Sequence, residues 1–139
     1  MKLRIDSSWG RYVAMAGVIG AAVFAAATVG AHANITEFTV PTSGSQPTNL
    51  AIGTSGNVWF TEREGNKIGR LVPTGNGQFS EWSIPTGNSQ PMGIAIDPSG
   101  NVWFAQNEGN KIGVFKTSSS TFPKEYVIPP SNRNPTNLA

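Results

Sequence analysis

The stretch QPTNLAIGTSGNVWFTEREGNKIG at residues 46–69 decides the fold, because it returns 44 residues later as QPMGIAIDPSGNVWFAQNEGNKIG at residues 90–113. The flanks keep the same spacing, with EFTVP at 37–41, EWSIP at 81–85 and EYVIP at 125–129. A third copy opens with NPTNLA at 134–139. Beyond its N-terminal segment, the chain therefore consists of tandem units of equal length.

The sequence pattern of each unit predicts four short strands with turns between them. In the first unit the strands are expected over 49–54, 58–61, 67–71 and 79–84, and Gly56 and Asn66 fall in the turns. A period of ~40–50 residues with several strands per unit is typical of β-propeller blades. We predict an all-β partial β-propeller with two four-stranded antiparallel blades, in units 46–85 and 90–129. A spare N-terminal outer strand over 36–40 and a C-terminal strand stub from residue 134 complete the prediction.

The first 33 residues have the composition of a secretory signal peptide. Lys2, Arg4 and Arg11 precede an apolar, alanine-rich run over residues 12–30, which is followed by an Ala-His-Ala site at 31–33. We expect cleavage after Ala33, with secretion or release into a periplasm. The alternative is an uncleaved N-terminal membrane anchor, because the run is close to the ~17–25 residues that span a bilayer. Residues 34–139 then form the propeller part.

Charge and cysteine content exclude several classes of partner and site. After residue 33 the chain carries seven basic and seven acidic side chains, so no basic surface predicts binding to nucleic acid. We expect no membrane association once the signal peptide is removed. The sequence contains no cysteine, which excludes disulfides, thiolate metal sites and a cysteine nucleophile.

Two further features favour structural roles. The aromatic pairs of the second strands recur at the blade period and are expected in the core between blades: Trp59, Phe60, Trp103 and Phe104. The segment 97–100 has one carboxylate, where calcium requires six to eight oxygens, and is predicted to be a type I turn.

Three motifs resemble the repeats of the streptogramin lyase family: TEFTVP at 36–41, WFTE at 59–62 and NKIGR at 66–70. The motifs occur in order and at the family's spacing, and the resemblance covers the chain after Asn34. It implies a seven-bladed propeller that opens the ester bond of a small cyclic depsipeptide antibiotic by elimination, a C–O lyase reaction. Propellers of the NHL and gluconolactonase types are the nearest competitors.

The resemblance also implies a histidine base and a magnesium ion held partly by glutamate. His32 is the one histidine of the sequence, and it lies inside the predicted signal peptide. No catalytic residue and no metal ligand is therefore carried over to this chain. We expect this chain to hold no cofactor and to be inactive alone, with magnesium and the cyclic peptide substrate belonging to a complete family member.

The repeat count leaves two interpretations open. A closed propeller has four to eight blades, whereas this sequence contains two complete units. We expect a truncated reading frame rather than an oligomer built from two-bladed chains, because the spare outer strand and the strand stub do not together make a further blade. Because blades bury their faces against neighbours, an uncovered aromatic face predicts self-association.

The loops between second and third strands are the candidate ligand surface. The residues proposed to face a ligand are Glu62, Arg63, Glu64, Gln106, Asn107 and Glu108. They differ between the two units at their centres, whereas the shared Glu-Gly-Asn-Lys is expected to serve the turn. Two functions remain: an exported part of a streptogramin lyase-like enzyme, or a non-catalytic exported propeller that binds a peptide, a glycan or a protein.

Overall fold

The computed structural model describes residues 35–118 and 121–138. The chain divides into a unit of residues 1–37 and a unit of residues 38–139. Of the first unit, residues 35–37 are described and carry no regular structure; the predicted signal peptide lies outside the described residues. Within the described ranges, no helix has the length and apolarity needed to cross a membrane.

The second unit contains two four-stranded antiparallel sheets, each with its strands in chain order. The first sheet, blade 1, has strands β1 (Pro47–Ile52), β2 (Val58–Glu62), β3 (Lys67–Val72) and β4 (Gln78–Ser83). The second sheet, blade 2, has strands β5 (Pro91–Ile96), β6 (Val102–Gln106), β7 (Lys111–Lys116) and β8 (Thr121–Val127). The prediction of an all-β fold with two four-stranded blades is confirmed.

The two blades share one register. Phe60 in β2 lies opposite Gly69 in β3, and Phe104 in β6 lies opposite Gly113 in β7. Each phenylalanine ring lies over its glycine so closely that a methyl group there would overlap the ring. The aromatic ring therefore occupies the space that a cross-strand side chain would need.

The main core lies between the blades. Trp59 and Trp82 of blade 1 pack against Phe115 of blade 2, with ring centroids 5.6 and 4.7 Å from the Phe115 ring. The buried residues of this core are Trp59, Ile68, Ile84, Ile94, Val102, Phe104 and Phe115. Trp59 and Phe104 thus lie in the core as expected, whereas Phe60 is buried against Gly69 and Phe79 within blade 1. Trp103 is partly exposed and stacks on Tyr126.

The loops that open each unit contain a repeated pair of left-handed residues. All six residues have positive φ. The first position of the pair is occupied in successive loops by Gly44, Asn88 and Asn132, and the second position by Gln46, Gln90 and Asn134. The second member of each pair precedes a proline, which normally disfavours helical backbone in the preceding residue. The carbonyl of Gln46 accepts a hydrogen bond from the backbone N–H of Arg63 at 3.1 Å, and that of Gln90 accepts one from Asn107 at 3.3 Å. These bonds join each loop to the neighbouring turn and help to hold the unusual backbone.

The two flanking segments that the sequence predicted as strands do not form ladders. Residues 35–40 and 132–138 have no strand partner among the described residues, and an extended segment without such a partner gains no inter-strand hydrogen bonds. The C-terminal segment nevertheless lies against blade 2. A methyl group on Gly93 of β5 would lie 2.6 Å from the Cα of Asn137 and 2.8 Å from the carbonyl oxygen of Thr136.

Candidate functional site

The turns after β2 and β6 meet the loops that open the units at one end of the blades, which we call the turn–loop end. It comprises residues 42–46, 63–66, 86–90, 107–110 and 130–134. Backbone N–H groups of Glu64 and Gly65 donate to the carbonyl of Ser45, at 3.0 and 3.2 Å. Those of Glu108 and Gly109 donate to Ser89 in the same way. The structure thus brings the predicted loops together through backbone contacts.

Asn66 and Asn110 explain the repeated turn sequence. The Asn66 amide donates to the carbonyls of Ile84 and Thr86 at 3.2 and 3.0 Å, and its oxygen accepts from the Ser89 backbone N–H and hydroxyl at 2.9 and 2.7 Å. Asn110 makes the corresponding bonds to Ile128 and to the backbone N–H of Arg133. The asparagine of each turn therefore fastens the loop that follows its own blade.

The middle residues of the two turns, which the sequence predicted to face a ligand, are partly or fully exposed at the turn–loop end. Arg63 is 39% exposed and donates to the Gln90 side-chain oxygen through Nε at 3.2 Å and Nη2 at 2.7 Å. At the position of Arg63 in blade 2, Asn107 donates from Nδ2 to the carbonyl of Asn134 at 3.1 Å. Glu64 and Glu108 are exposed. These four side chains are placed where a bound molecule could contact them.

Glu62 and Gln106 are not on that surface. Both are fully buried at the ends of β2 and β6, so the structure corrects their placement as ligand-facing loop residues. A blade is covered on both sides, and consecutive residues of its second strand are then buried whichever way they point. This burial could not be recognised from the sequence pattern, because an acidic or amide residue beside a turn normally suggests exposure.

A repeated polar cluster lies beneath the turn–loop end. In blade 1, Lys67 Nζ lies 3.0 Å from Glu81 Oε2 and 2.6 Å from Thr42 Oγ1, and the Thr42 hydroxyl donates to Glu81 Oε2 at 2.6 Å. In blade 2 the same arrangement joins Lys111, Glu125 and Thr86. Sequence reasoning missed this cluster, although its three members recur at the blade period and could have been found that way.

The two glutamates of these clusters have lowered pKa values. Burial opposes the charged form of Glu81, but hydrogen bonds from Thr42 and Lys67 outweigh it, and the pKa falls below its ordinary value. Glu125 behaves in the same way, with burial outweighed by Lys111, Thr86 and Gln106. Both carboxylates are therefore the negative partners of an ammonium group in the folded blade.

Glu62 has the opposite shift. Burial raises the pKa of its carboxyl group, and the negative charge of Glu81 adds to the rise, while Ser45 and Lys67 only partly compensate. Within the described part of the chain neither carboxylate oxygen of Glu62 has a hydrogen-bond partner of acceptable geometry. In blade 2, Gln106 Nε2 instead donates to Glu125 Oε1 at 3.0 Å.

The described residues do not fit a magnesium ion. They contain no group of three or more histidine, cysteine, aspartate or glutamate side chains that could hold a metal. The carboxylates of Glu62 and Glu81 come from β2 and β4, on either side of β3, but the Lys67 ammonium of β3 already contacts Glu81 and would repel a cation. No histidine lies within the described ranges to act as a general base. We therefore derive no catalytic step from these two blades.

A family model described as the virginiamycin B lyase family matches residues 21–139 of this chain. The chain belongs to the virginiamycin B lyase family. The resemblance to streptogramin lyases that the repeat motifs suggested is thereby confirmed, and the two blades described above are blades of a virginiamycin B lyase-type propeller.

Individual relatives support the assignment. Virginiamycin B lyase of Bacillus licheniformis is 40% identical over 42 residues, which are 30% of this chain and 14% of that protein. Selenomethionine-substituted virginiamycin B lyase from Staphylococcus aureus superposes with a TM-score of 0.68 at 36% identity, covering 75% of this chain and 34% of that one. A catalytically inactive histidine-to-alanine variant of the Staphylococcus aureus lyase, solved with quinupristin, gives 0.70 at 34% identity, covering 78% and 36%.

The chain corresponds to only part of each relative. The aligned part of this chain spans about a third of the length of the solved lyases and a smaller share of the Bacillus protein. The structural likeness therefore concerns two blades of the solved lyases, and the family model shows the family to which the chain belongs.

Proposed function

We propose that these two blades form part of the propeller wall of a lyase that opens the ester bond of a cyclic depsipeptide antibiotic by elimination. In that reaction a base removes the α-proton of the ester-linked residue, the bond between its β-carbon and the ester oxygen breaks, and a carbon–carbon double bond and a carboxylate form. The family match over residues 21–139 carries the proposal, together with the two-blade likeness to a lyase solved with quinupristin.

The role proposed for this chain within that reaction is to bind and position, not to cleave. Arg63, Glu64, Asn107 and Glu108 are among the side chains that the turn–loop end presents, and they offer donors and acceptors to a peptide ring. The described residues provide neither a histidine base nor a fit for magnesium. We therefore expect the purified chain to leave the antibiotic intact.

The first experiment incubates the purified chain with quinupristin and magnesium and follows the antibiotic by liquid chromatography and mass spectrometry. Elimination would give a linear product of unchanged mass, whereas ester hydrolysis would add the mass of one water. We expect neither product. Linear antibiotic of unchanged mass, absent from a heat-denatured control, would show that this chain holds a complete catalytic site and would overturn the proposed division of roles.

The second experiment tests whether these two blades can replace the corresponding part of an active lyase. The segment of the Staphylococcus aureus lyase that aligns with residues 46–129 is replaced by those residues, and the parent lyase and its inactive variant provide the upper and lower limits. A chimera that folds and linearises quinupristin is the expected result. A chimera that folds with the parent's thermal stability but has no activity would favour the alternative, a non-catalytic scaffold for a peptide, glycan or protein.

We further propose that the protein is exported. The basic start, the apolar run and the Ala-His-Ala site of residues 1–33 support this, and the segment lies outside the described residues. Mass spectrometry of protein recovered outside the cytoplasm is expected to give an N-terminus at Asn34. Recovery of the intact chain in the membrane fraction would instead identify an uncleaved anchor.

A further inference from the structure

The strand register places a row of polar side chains on one face of each blade. Side chains two residues apart in a strand point to the same side, and directly paired residues share that side. Glu62 of β2 lies opposite Lys67 of β3. The residue two before Glu62 lies opposite Gly69, which lies opposite Glu81 of β4. Glu62, Lys67 and Glu81 therefore lie on the same face of blade 1. The corresponding residues of blade 2 are Gln106, Lys111 and Glu125.

Blade 2 shows which hydrogen bonds the glutamate of the fourth strand accepts. Glu125 Oε1 accepts one bond from a backbone N–H of the preceding loop at 3.2 Å and one from Gln106 Nε2 at 3.0 Å. In blade 1, Glu81 Oε1 accepts the equivalent backbone bond from Thr42 at 3.2 Å. The equivalent of the Gln106 bond requires a proton on Glu62, because an ionised carboxylate accepts hydrogen bonds but donates none.

The loop 42–46 and the turn 63–66 enclose the Glu62 carboxyl group. Glu62 is 0% exposed and Ser45 is 3% exposed. A methyl group on Gly65 would lie 3.0 Å from Glu62 Oε2 and from the Ser45 Cβ, so the loop, the turn and the carboxyl group are in close contact. Among the described residues, neither carboxylate oxygen of Glu62 has a hydrogen-bond partner. An ionised Glu62 is therefore costly while the loop is closed, because it has neither water nor a donor.

The charged groups that face Glu62 belong to two strands. The Glu81 carboxylate of β4 opposes a second negative charge, whereas the Lys67 ammonium of β3 favours one. Lys67 Nζ is already engaged by Glu81 Oε2 at 3.0 Å and by the Thr42 hydroxyl at 2.6 Å. The loop contributes the uncharged Ser45 hydroxyl. Burial raises the pKa of the Glu62 carboxyl group, and Glu81 adds to the rise. The turn itself carries two charged side chains, which are 39% and 45% exposed: Arg63 and Glu64.

We propose that protonation of Glu62 controls whether the loop 42–46 is closed over the turn 63–66. With the proton in place, Glu62 donates to Glu81 Oε1 and the loop stays closed. When Glu62 loses the proton to solvent, the two carboxylates repel each other, and the loop and the turn part so that water reaches the charged group. Parting breaks the backbone hydrogen bonds that join them, from Arg63 to Gln46 and from Glu64 and Gly65 to Ser45.

The proposal makes one half of the candidate ligand surface sensitive to pH. The turn of blade 1 carries Arg63 and Glu64, which move with it when the loop opens. The turn of blade 2 keeps its place, because Gln106 donates to Glu125 at every pH. The device depends on the contacts within the blades, and it holds whether or not the propeller acts as a lyase.

Backbone amide exchange, measured by NMR on the purified protein, tests the opening directly. The amides of Glu64 and Gly65 report on blade 1. Those of Glu108 and Gly109 donate to Ser89 in the same way and provide the internal control. Because hydroxide accelerates the exchange of all amides alike, the ratio of exchange rates in blade 1 to those in blade 2 removes the ordinary effect of pH.

We expect this ratio to rise with pH. A carboxyl group with a raised pKa gives its full stabilisation below the ordinary value of 4.5 and loses it as pH rises through the folded pKa. The ratio should therefore be constant below that value, rise above it by at most about tenfold per pH unit because a single proton is involved, and then level off. A ratio that stays constant from about pH 4 to about pH 8 would overturn the proposal.

Two variants assign the effect to Glu62. Glu62→Gln gives blade 1 the permanent donor of blade 2, and its exchange ratio should not change with pH. The double variant Glu62→Gln with Gln106→Glu exchanges the two residues at unchanged composition, and its ratio should fall with pH instead of rising. Thermal melting checks that both proteins fold. A Glu62→Gln protein that retains the rise would contradict the proposal, and so would a folded double variant whose ratio does not fall.

Discussion

Glu62 and Gln106 occupy the same position in the two blades, and the difference between them is one of protonation. Gln106 is a permanent donor and bonds to Glu125 at 3.0 Å. Glu62 can offer Glu81 an equivalent bond only when its carboxyl group carries a proton. The raised pKa of Glu62, caused mainly by burial, favours that neutral form. Glutamine can therefore donate to the neighbouring glutamate at every pH, whereas Glu62 can do so only in its neutral form.

Replacing Glu62 by Gln is expected to stabilise the protein at neutral and alkaline pH. A carboxyl group whose pKa is raised in the folded state gives its full stability below its unfolded pKa, near the ordinary value of 4.5, and loses it as pH rises through the folded pKa. Glu62→Gln removes this loss, with a gain of about 1–3 kcal/mol in the free energy of unfolding. Urea denaturation across a pH series measures it.

The reverse change in blade 2 is the matched control. Gln106→Glu should destabilise the protein, and increasingly so as pH rises, because it places a second carboxylate beside Glu125. If the Glu62→Gln and unmodified proteins keep the same difference in stability at all pH values, Glu62 does not titrate in the folded protein as described.

Asp97 illustrates a turn that also orients an aromatic ring. Its carboxylate accepts from the backbone N–H groups of Ser99 and Asn101, both at 2.9 Å, and the Gly100 N–H donates to the Asp97 carbonyl at 2.8 Å. The predicted turn at 97–100 is confirmed. Hydrogen bonds from the Trp103 indole and from Asn101 lower the pKa of Asp97 to about 2.

The Trp103 indole should report the titration of Asp97. A lowered pKa contributes stability that is present above the unfolded value of 3.8 and is lost as pH falls through about 2. We expect the indole N–H resonance of Trp103 to shift with a midpoint near that lower value. In Asp97→Asn the transition should vanish. A midpoint at the ordinary carboxyl pKa would show that the indole bond does not form in solution.

At the scale of strands, the pairs Phe60–Gly69 and Phe104–Gly113 fix how β2 packs on β3 and β6 on β7. Gly113 lies under the Phe104 ring, which is fully buried, so an added methyl group has no free volume. Gly113→Ala should destabilise the protein by about 1–3 kcal/mol or more through overpacking. Chemical denaturation measures the loss.

Gly87 provides the comparison for that substitution. A methyl group added there meets nothing within 4 Å, and its φ is not positive. Gly87→Ala should therefore change the free energy of unfolding by only a few tenths of a kcal/mol, or stabilise slightly by restricting the unfolded chain. Equal losses for the two glycines would argue against the ring-on-glycine packing.

The strands and turns of the two blades could be predicted from the sequence, because the same pattern of apolar and turn residues occurs twice. The turn glycine Gly56 and the turn asparagine Asn66 have the positive φ angles expected of turn residues, and Val58 and Lys67 begin strands as predicted. The burial of Glu62 was not predictable, because it depends on Ser45 and Glu81, which are distant in sequence and lie close to its carboxyl group at the end of β2. Nor was the lack of ladders in the flanking segments, since strand propensity does not supply a partner strand.

At the scale of the whole molecule, the equivalent tryptophans Trp59 and Trp103 have different surroundings. Trp59 is 4% exposed and packs between the blades, whereas Trp103 is partly exposed and stacks on Tyr126 of β8. Trp59→Ala should cost about 3–5 kcal/mol, a large part of the ~5–15 kcal/mol that stabilises a domain of this size.

Trp103→Ala removes the same side chain where less of it is buried. Its cost should be clearly smaller than that of Trp59→Ala when both are measured at low protein concentration, where self-association is suppressed. Trp59→Ala should also lower the melting temperature of both blades together, because the core contains residues of both blades. Separate melting of the blades in the unmodified protein would contradict a shared core.

The repeated left-handed residues at 44 and 46, 88 and 90, and 132 and 134 mark a natural splice point. Each pair lies in a loop at the edge of a blade, so a genetic exchange that joins one such loop to the next adds or removes a whole blade while every strand keeps its register. Gene duplication and engineered concatenation can therefore change the size of this propeller in steps of one blade, with no new junction to design.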